Sequence, residues 1–165
     1  MMKKHILLIL LLIFSYGVTA VSIKQCLFSE MTGVVNFEGK PAAGVKLVRM
    51  VDYNKAQYDE TVTDENGKFH FSPIYRSSLL SAVLPMEFVV AQKITAFYDG
   101  KEYEMWSGTK RKSEENSEAR GKPLHVSCEL TLPELNFIIV ERSPIFSLCT
   151  WDVEADPDDR SSLFG

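Results

Sequence analysis

Residues Glu60 to Phe71 read ETVTDENGKFHF, and no other stretch limits the possible folds so tightly. Thr61, Val62 and Thr63 are all β-branched and favour extended backbone. Asp64, Glu65, Asn66 and Gly67 then form a tight polar turn. An aspartate there can accept hydrogen bonds from turn amides, and Asn-Gly tolerates left-handed backbone. Phe69 and Phe71 alternate with Lys68 and His70. Strand alternation sends both rings to one face and the polar pair to the other. A one-residue slip would turn both rings to water, so the turn must hold the register. Calcium binding by DENG is not expected, because alternating oxygen ligands and a closing glutamate are missing.

Turn signals recur at short intervals along the rest of the chain, and no segment sustains a helical period. That pattern predicts an all-β sandwich. Met31 to Phe37 is the first strand expected. EGKPAAG follows as a turn, with Gly39 and Gly44 free to take positive φ and Pro41 fixing its own. Val45 to Val51 sets Val45, Leu47 and Val51 against Lys46 and Arg49, with Met50 outside the pattern, which predicts a strand with one wet face. DYNKAQYD, residues 52–59, reads as a loop, and Ser77 to Pro85 as a short helix or a connection. Glu87 to Tyr98 predicts one or two strands. The hairpin signal YDGK follows at Tyr98 to Lys101, with EYEMWSG as the return strand. Thr109 to Lys122 reads as a solvated polar loop; Leu124 to Leu132 and Phe137 to Val140 read as further strands.

Lys3 and Lys4, the apolar run Ile6 to Phe14 and the small-residue pattern Val18-Thr19-Ala20 read as a cleavable secretory signal over residues 1–20. The apolar run is short of the ~20 residues of a spanning helix. No stable membrane span is expected after cleavage, and the location expected is periplasmic or secreted. Residues 21–152 then form one domain, and residues 153–165 an acidic, disordered tail. Loss of Lys3 and Lys4 moves the formal charge from −4 to −6. Nucleic acid is not an expected partner for such a chain, since phosphate binding needs clustered Lys and Arg.

Cys26, Cys128 and Cys149 remain after cleavage. In PLHVSCEL, alternation groups Leu124, Val126, Cys128 and Leu130 on one face. The first pairing to consider is Cys128 with Cys149; Cys26 with Cys149 is the second, and three buried free thiols the third. None of these spacings is that of a zinc site.

The run TGVVNFEGKPAAGVKLVR followed by ETVTDENGKFHF resembles the transthyretin-like, carboxypeptidase regulatory-like domain. The matching positions are Gly33, Gly39, Pro41, Gly44, Val45, Thr63, Asp64, Gly67, Phe69 and Phe71. The resemblance covers about the first third of the chain after the leader. It implies a transthyretin-like (prealbumin-like) Greek-key β-sandwich of about seven or eight strands. The remainder looks like a group of small exported bacterial proteins built on the same domain. Because the matching residues are turn and core residues, the resemblance implies a fold and not an activity.

An enzyme needs a constellation of reactive groups. His70 and His125 both fall on strand positions expected to face solvent, and nothing marks Ser72 or Ser127 as a nucleophile. Hydroxyisourate hydrolases of the resembling fold end in Tyr-Arg-Gly-Ser; here YRSS stands mid-chain at Tyr75 to Ser78. The histidines also lack the close spacing of a dioxygenase iron site. No catalytic residue, metal or cofactor is therefore expected. Tyr98, Tyr103 and Trp106 around the YDGK hairpin, with Phe146 and Trp151 framing Cys149, are the candidates for an interface. The expectation is a non-enzymatic periplasmic or secreted binding or structural module, its partner a cell-envelope protein. The alternative is an immunity-type inhibitor of a secreted toxic enzyme. The sequence leaves the oligomeric state open.

Overall fold

The computed structural model describes residues 23–78 and 87–157. Among the described residues thirteen strands follow one another: β1 Ile23–Phe28, β2 Met31–Phe37, β3 Lys40–Pro41, β4 Lys46–Asp52, β5 Ala56–Val62, β6 Lys68–Phe71, β7 Ile74–Ser78, β8 Val90–Tyr98, β9 Lys101–Lys110, β10 Leu124–Glu129, β11 Asn136–Val140, β12 Ser143–Ser147 and β13 Cys149–Trp151. A 3-10 turn, Ser117–Ala119, lies between β9 and β10. Among the described residues, no helix is long and apolar enough to cross a membrane.

Three sheets form. One has six strands in the order β11-β12-β9-β8-β4-β5. A second runs β13-β10-β2-β3, with β6 also paired to β2, and β1 with β7 forms a short ribbon. The two large sheets direct their alternating apolar residues into one core, giving a sandwich-like, all-β arrangement. Leu47, Val51, Val90, Ile94 and Ala96 enter it from the six-stranded sheet. Phe69, Phe71, Leu124, Val126 and Cys128 enter from the other.

The turn that dominates the sequence folds as its chemistry dictates, but it is not a hairpin: its arms join different sheets, β5 pairing with β4 and β6 with β2. Asp64 Oδ1 accepts from the amides of Asn66 and Lys68, each at 2.8 Å. Gly67 adopts φ 70°, and a Cβ there would lie 2.5 Å from the Val35 carbonyl oxygen. Thr63 ties this turn to the preceding one: its hydroxyl donates to the Ala42 carbonyl at 2.7 Å and accepts from the Val45 amide at 2.9 Å. Gly39 and Gly44 take positive φ, and Pro41 forms part of β3. Phe69 and Phe71 are buried with ring centroids 6.0 Å apart. Gly33 is required by close approach, since a Cβ would sit 2.3 Å from the Val126 carbonyl oxygen where β2 runs parallel to β10. Asp99 and Gly100, both at positive φ, close β8 onto β9 as YDGK predicts.

Cys128 and Cys149 lie directly opposite each other on β10 and β13 and form a disulfide; Cys26 is a buried free thiol. The bridge closes a sequence separation of 21 residues. Constraint of the unfolded chain by a loop of this size contributes about 3 kcal/mol.

Several expectations are corrected. The count of thirteen strands exceeds seven or eight, because β1, β12, β13 and the short β3 carry weak signals. Residues 56–62, read largely as loop, form edge strand β5, whose hydrogen bonds come from β4. Arg49 is fully buried and does not lie on a wet face: it shares strand parity with Leu47 and Val51. Lys110 and Glu118, both within the supposed solvated loop, are buried as well. Residues 153–157 of the expected acidic tail pack against the fold. The Asp156 amide donates to the Ile139 carbonyl at 2.7 Å, and its carboxylate pairs with Arg120. The signal over residues 1–20, residues 79–85 of the ambiguous segment and the tail beyond residue 157 lie outside the described residues.

Candidate functional site

Among the described residues, three polar clusters and one sheet face are candidates for a functional site. The first cluster lies on the outer face of the second sheet. Register places His70 of β6, Thr32 of β2 and His125 of β10 in one row across three adjacent strands. His125 Nδ1 shares a hydrogen bond with the Thr32 hydroxyl. His70 Nε2 lies 2.8 Å from Glu30 Oε1, with both side chains about half exposed. Glu30, Thr32, Asn116 and His125 border a hollow of about 100 Å³. Both histidines are thus solvent-facing, as strand alternation predicts. The hydroxyl–imidazole pair is a surface contact in a hollow only a few water molecules in size. No group of three or more His, Cys, Asp or Glu among the described residues is placed to hold a metal ion.

The second cluster is buried, and the sequence gives it no motif. Lys110 Nζ donates to Glu118 Oε2 at 2.6 Å, Ser117 Oγ at 2.5 Å and the Glu114 carbonyl at 2.9 Å. Glu118 accepts further from Ser29 Oγ at 2.6 Å, the Ser29 amide at 3.3 Å and Gln92 Nε2 at 2.9 Å. Burial pushes the Glu118 carboxyl up most strongly, but the Lys110 charge and the bonds from Lys110, Ser29 and Gln92 outweigh it. The group titrates below the usual carboxylate range. Cys26 lies beside this knot, its sulfur 3.9 Å from Ser29 Oγ. Burial, against the opposing pull of Lys110, raises its thiol to about 11. A protonated, inaccessible thiol is a poor nucleophile. The knot therefore clamps the 110–120 segment against β1 and β8. Trp151 adds to the clamp by donating from Nε1 to the Glu118 carbonyl at 3.0 Å.

The third cluster centres on Arg49. Its guanidinium donates to both Asp59 oxygens, at 2.9 and 2.6 Å, and to the Ser72 carbonyl at 2.7 Å. It also lies over the rings of Phe28 and Phe71, at 5.0 and 4.5 Å. Fork geometry and delocalised charge suit Arg to this combined stacking and bidentate role. The pair fastens edge strand β5 to the core.

The aromatic interface candidates separate. Trp106 has no exposed surface; it packs 6.3 Å from Phe28 and 4.8 Å from Trp151, so it is a core residue and not an interface residue. Trp151 is partly buried against it. Tyr98 and Tyr103 are partly buried against Phe37, at 5.3 and 6.4 Å. In YRSS, Tyr75 donates to Glu115 at 2.5 Å, a bond that raises its phenol to about 12. Arg76 stacks 4.5 Å from the Tyr53 ring. Neither residue adjoins His70 or His125 in the hydrogen-bonded register.

Exposed apolar side chains collect instead on the outer face of the six-stranded sheet. Direct cross-strand pairing places Tyr58, Met50, Lys93, Ser107, Phe146 and Phe137 in one continuous row across all six strands. Tyr58 is 69 % exposed, Val62 57 % and Phe146 43 %. Met50, Lys93, Ser107, Pro144 and Phe146 border an open depression of about 300 Å³. The Phe146 signal was visible in the sequence. Tyr58 was hidden because β5 reads as polar loop.

No curated protein matches the chain. A profile of the family described as Domain of unknown function (DUF6795) matches residues 31–133, from the start of β2 to just past β10. That span is more than half of the chain, and the protein therefore belongs to the DUF6795 family.

Proposed function

We propose that the protein is a non-enzymatic binding module of the cell envelope, periplasmic or secreted, whose partner is another protein docking on the outer face of the six-stranded sheet. The carrying observation is the aromatic row on that face. Tyr and Phe on rigid strands present large contact area at low ordering cost. The polar clusters serve other ends: the Lys110–Glu118 knot and the Arg49–Asp59 pair each connect separate elements of the fold. The disulfide is compatible with an oxidising compartment. The transthyretin-like Greek-key arrangement is part of the same proposal, supported by the structural roles of Gly33, Thr63, Asp64, Gly67, Phe69 and Phe71.

A second reading is an immunity-type inhibitor of a secreted toxic enzyme. It draws support from the same rigid face, since a preorganised surface favours one tight partner. Chemical crosslinking and capture of the tagged chain from its native envelope, read by mass spectrometry, tests both. A stoichiometric enzyme partner supports the inhibitor, whereas envelope proteins or further copies of the chain support the module. A catalytic turnover abolished by His70→Ala or His125→Ala would overturn both.

A further inference from the structure

The row across the six-stranded sheet is aromatic at both ends and mixed in its middle: Tyr58, Met50, Lys93, Ser107, Phe146, Phe137. We propose that the occupant of this face is a second copy of the chain, packed sheet on sheet about a two-fold axis that runs along the strands between β8 and β9. The proposal rests on the reading of this face as a binding surface and names what covers it.

Strand order determines the contacts. Rotation about such an axis exchanges β5 with β11, β4 with β12 and β8 with β9. Tyr58 then faces the partner's Phe137, Met50 faces the partner's Phe146, and Lys93 faces the partner's Ser107. Each contact occurs twice, as an isologous interface requires. The pairs are chemically matched: ring on ring, thioether on ring, and a long cation over a small hydroxyl.

Charge also favours a copy as occupant. The whole chain carries −4, so most of its surface repels its like. On this face Lys46 pairs with Glu60 at 2.8 Å and Lys93 with Glu104 at 2.9 Å, and these four charges cancel within each copy. The area is of the right order. Six strands at about 4.8 Å spacing and seven residues at about 3.4 Å give a face about 24 Å by about 24 Å. Its flat footprint of about 600 Å², increased by side-chain relief, approaches the about 800 Å² per partner of a stable complex. Aligned sheet packing at about 10 Å separation is an ordinary way for such faces to meet.

Analytical ultracentrifugation of the chain purified from the envelope tests the assignment. The wild type is expected to sediment at twice the chain mass at about 100 µM, because dimer population follows protomer concentration. Met50→Lys and Phe146→Glu should each sediment as monomer, with circular dichroism unchanged at these surface positions and a melting temperature that no longer depends on protein concentration. The double variant M50K/F146E should regain the dimer, since positions 50 and 146 face each other across the axis but lie three strands apart within one copy. A monomeric wild type at that concentration, a dimeric F146E, or a double variant as monomeric as the single ones would overturn the proposal. If the wild type is monomeric and F146E still abolishes capture of an envelope protein, the dimer fails and the binding face stands. If F146E leaves capture unchanged as well, both fail.

Discussion

Replacing Lys110 with Met should destabilise the fold by about 3–5 kcal/mol at pH 7, the usual cost of removing one partner from a buried ion pair. The structure supplies the reason. Lys110 is 1 % exposed and Glu118 is 3 % exposed, so neither charge can turn to water. The substitution removes three donated hydrogen bonds and leaves an ionised carboxylate held only by Ser29 and Gln92. The pH dependence is a sharper test than the magnitude. In the wild type the Glu118 carboxyl titrates below its unfolded value. Its contribution is therefore full above the unfolded pKa, about 4.3, and is lost as pH falls through the lower folded value. Without Lys110, burial dominates and raises the folded pKa above the unfolded one. The variant then gains relative stability as pH falls through that raised value, because protonation removes the buried charge. The difference between wild type and variant should be largest at neutral pH and shrink toward pH 4. Other carboxylates, such as Glu129, cancel in this difference. Urea unfolding at several pH values measures it directly. A difference below about 1 kcal/mol at pH 7, or one independent of pH, would refute the description of the knot as a desolvated ion pair.

Phe69→Ala should cost about 3–5 kcal/mol in denaturant unfolding, and a loss below about 1 kcal/mol would reject its core assignment. Gly67→Val should cost at least about 2 kcal/mol, since it combines a left-handed backbone with a Cβ 2.5 Å from the Val35 carbonyl oxygen. Intact mass after alkylation in denaturant should show one modified cysteine without reductant and three with it, from the Cys128–Cys149 bridge and the free Cys26; an unchanged count would exclude the bridge. His70→Ala should change stability by less than about 0.5 kcal/mol, because its contact with Glu30 is about half exposed.

The parts of the fold that were legible in the sequence are those where local chemistry and tertiary packing agree. Asp64, Gly67, Phe69 and Phe71 each act within a few residues of one another, so the turn can be read locally, whereas the separation of its arms into two sheets, β5 onto β4 and β6 onto β2, cannot. The inward alternation of β10 marked Cys128 for the core but not its partner; the pairing with Cys149 was the first of three readings, and the structure selects it. Arg49 was misread because charge outweighed parity: position 49 belongs with 47 and 51, and only the distant Asp59, Phe28 and Phe71 make its burial possible. Glu118 sits in SEENSEAR, a run whose composition describes a solvated loop, and its true partners are 8, 26 and 89 residues away. Strand β5 has the composition of a loop because, as an edge, it faces water on much of its surface and takes its hydrogen bonds from β4. The row on the proposed docking face was illegible as a whole for the same reason: it draws one residue from each of six strands, and no linear pattern marks it.

The most direct test of the account is site-specific photocrosslinking in the native envelope, with the reactive group placed at Tyr58 or Phe146 on one face and at His125 on the other. The account predicts protein adducts from positions 58 and 146, among them one of twice the chain mass, and none from position 125. Adducts from position 125 alone, or from none of the three, would contradict it.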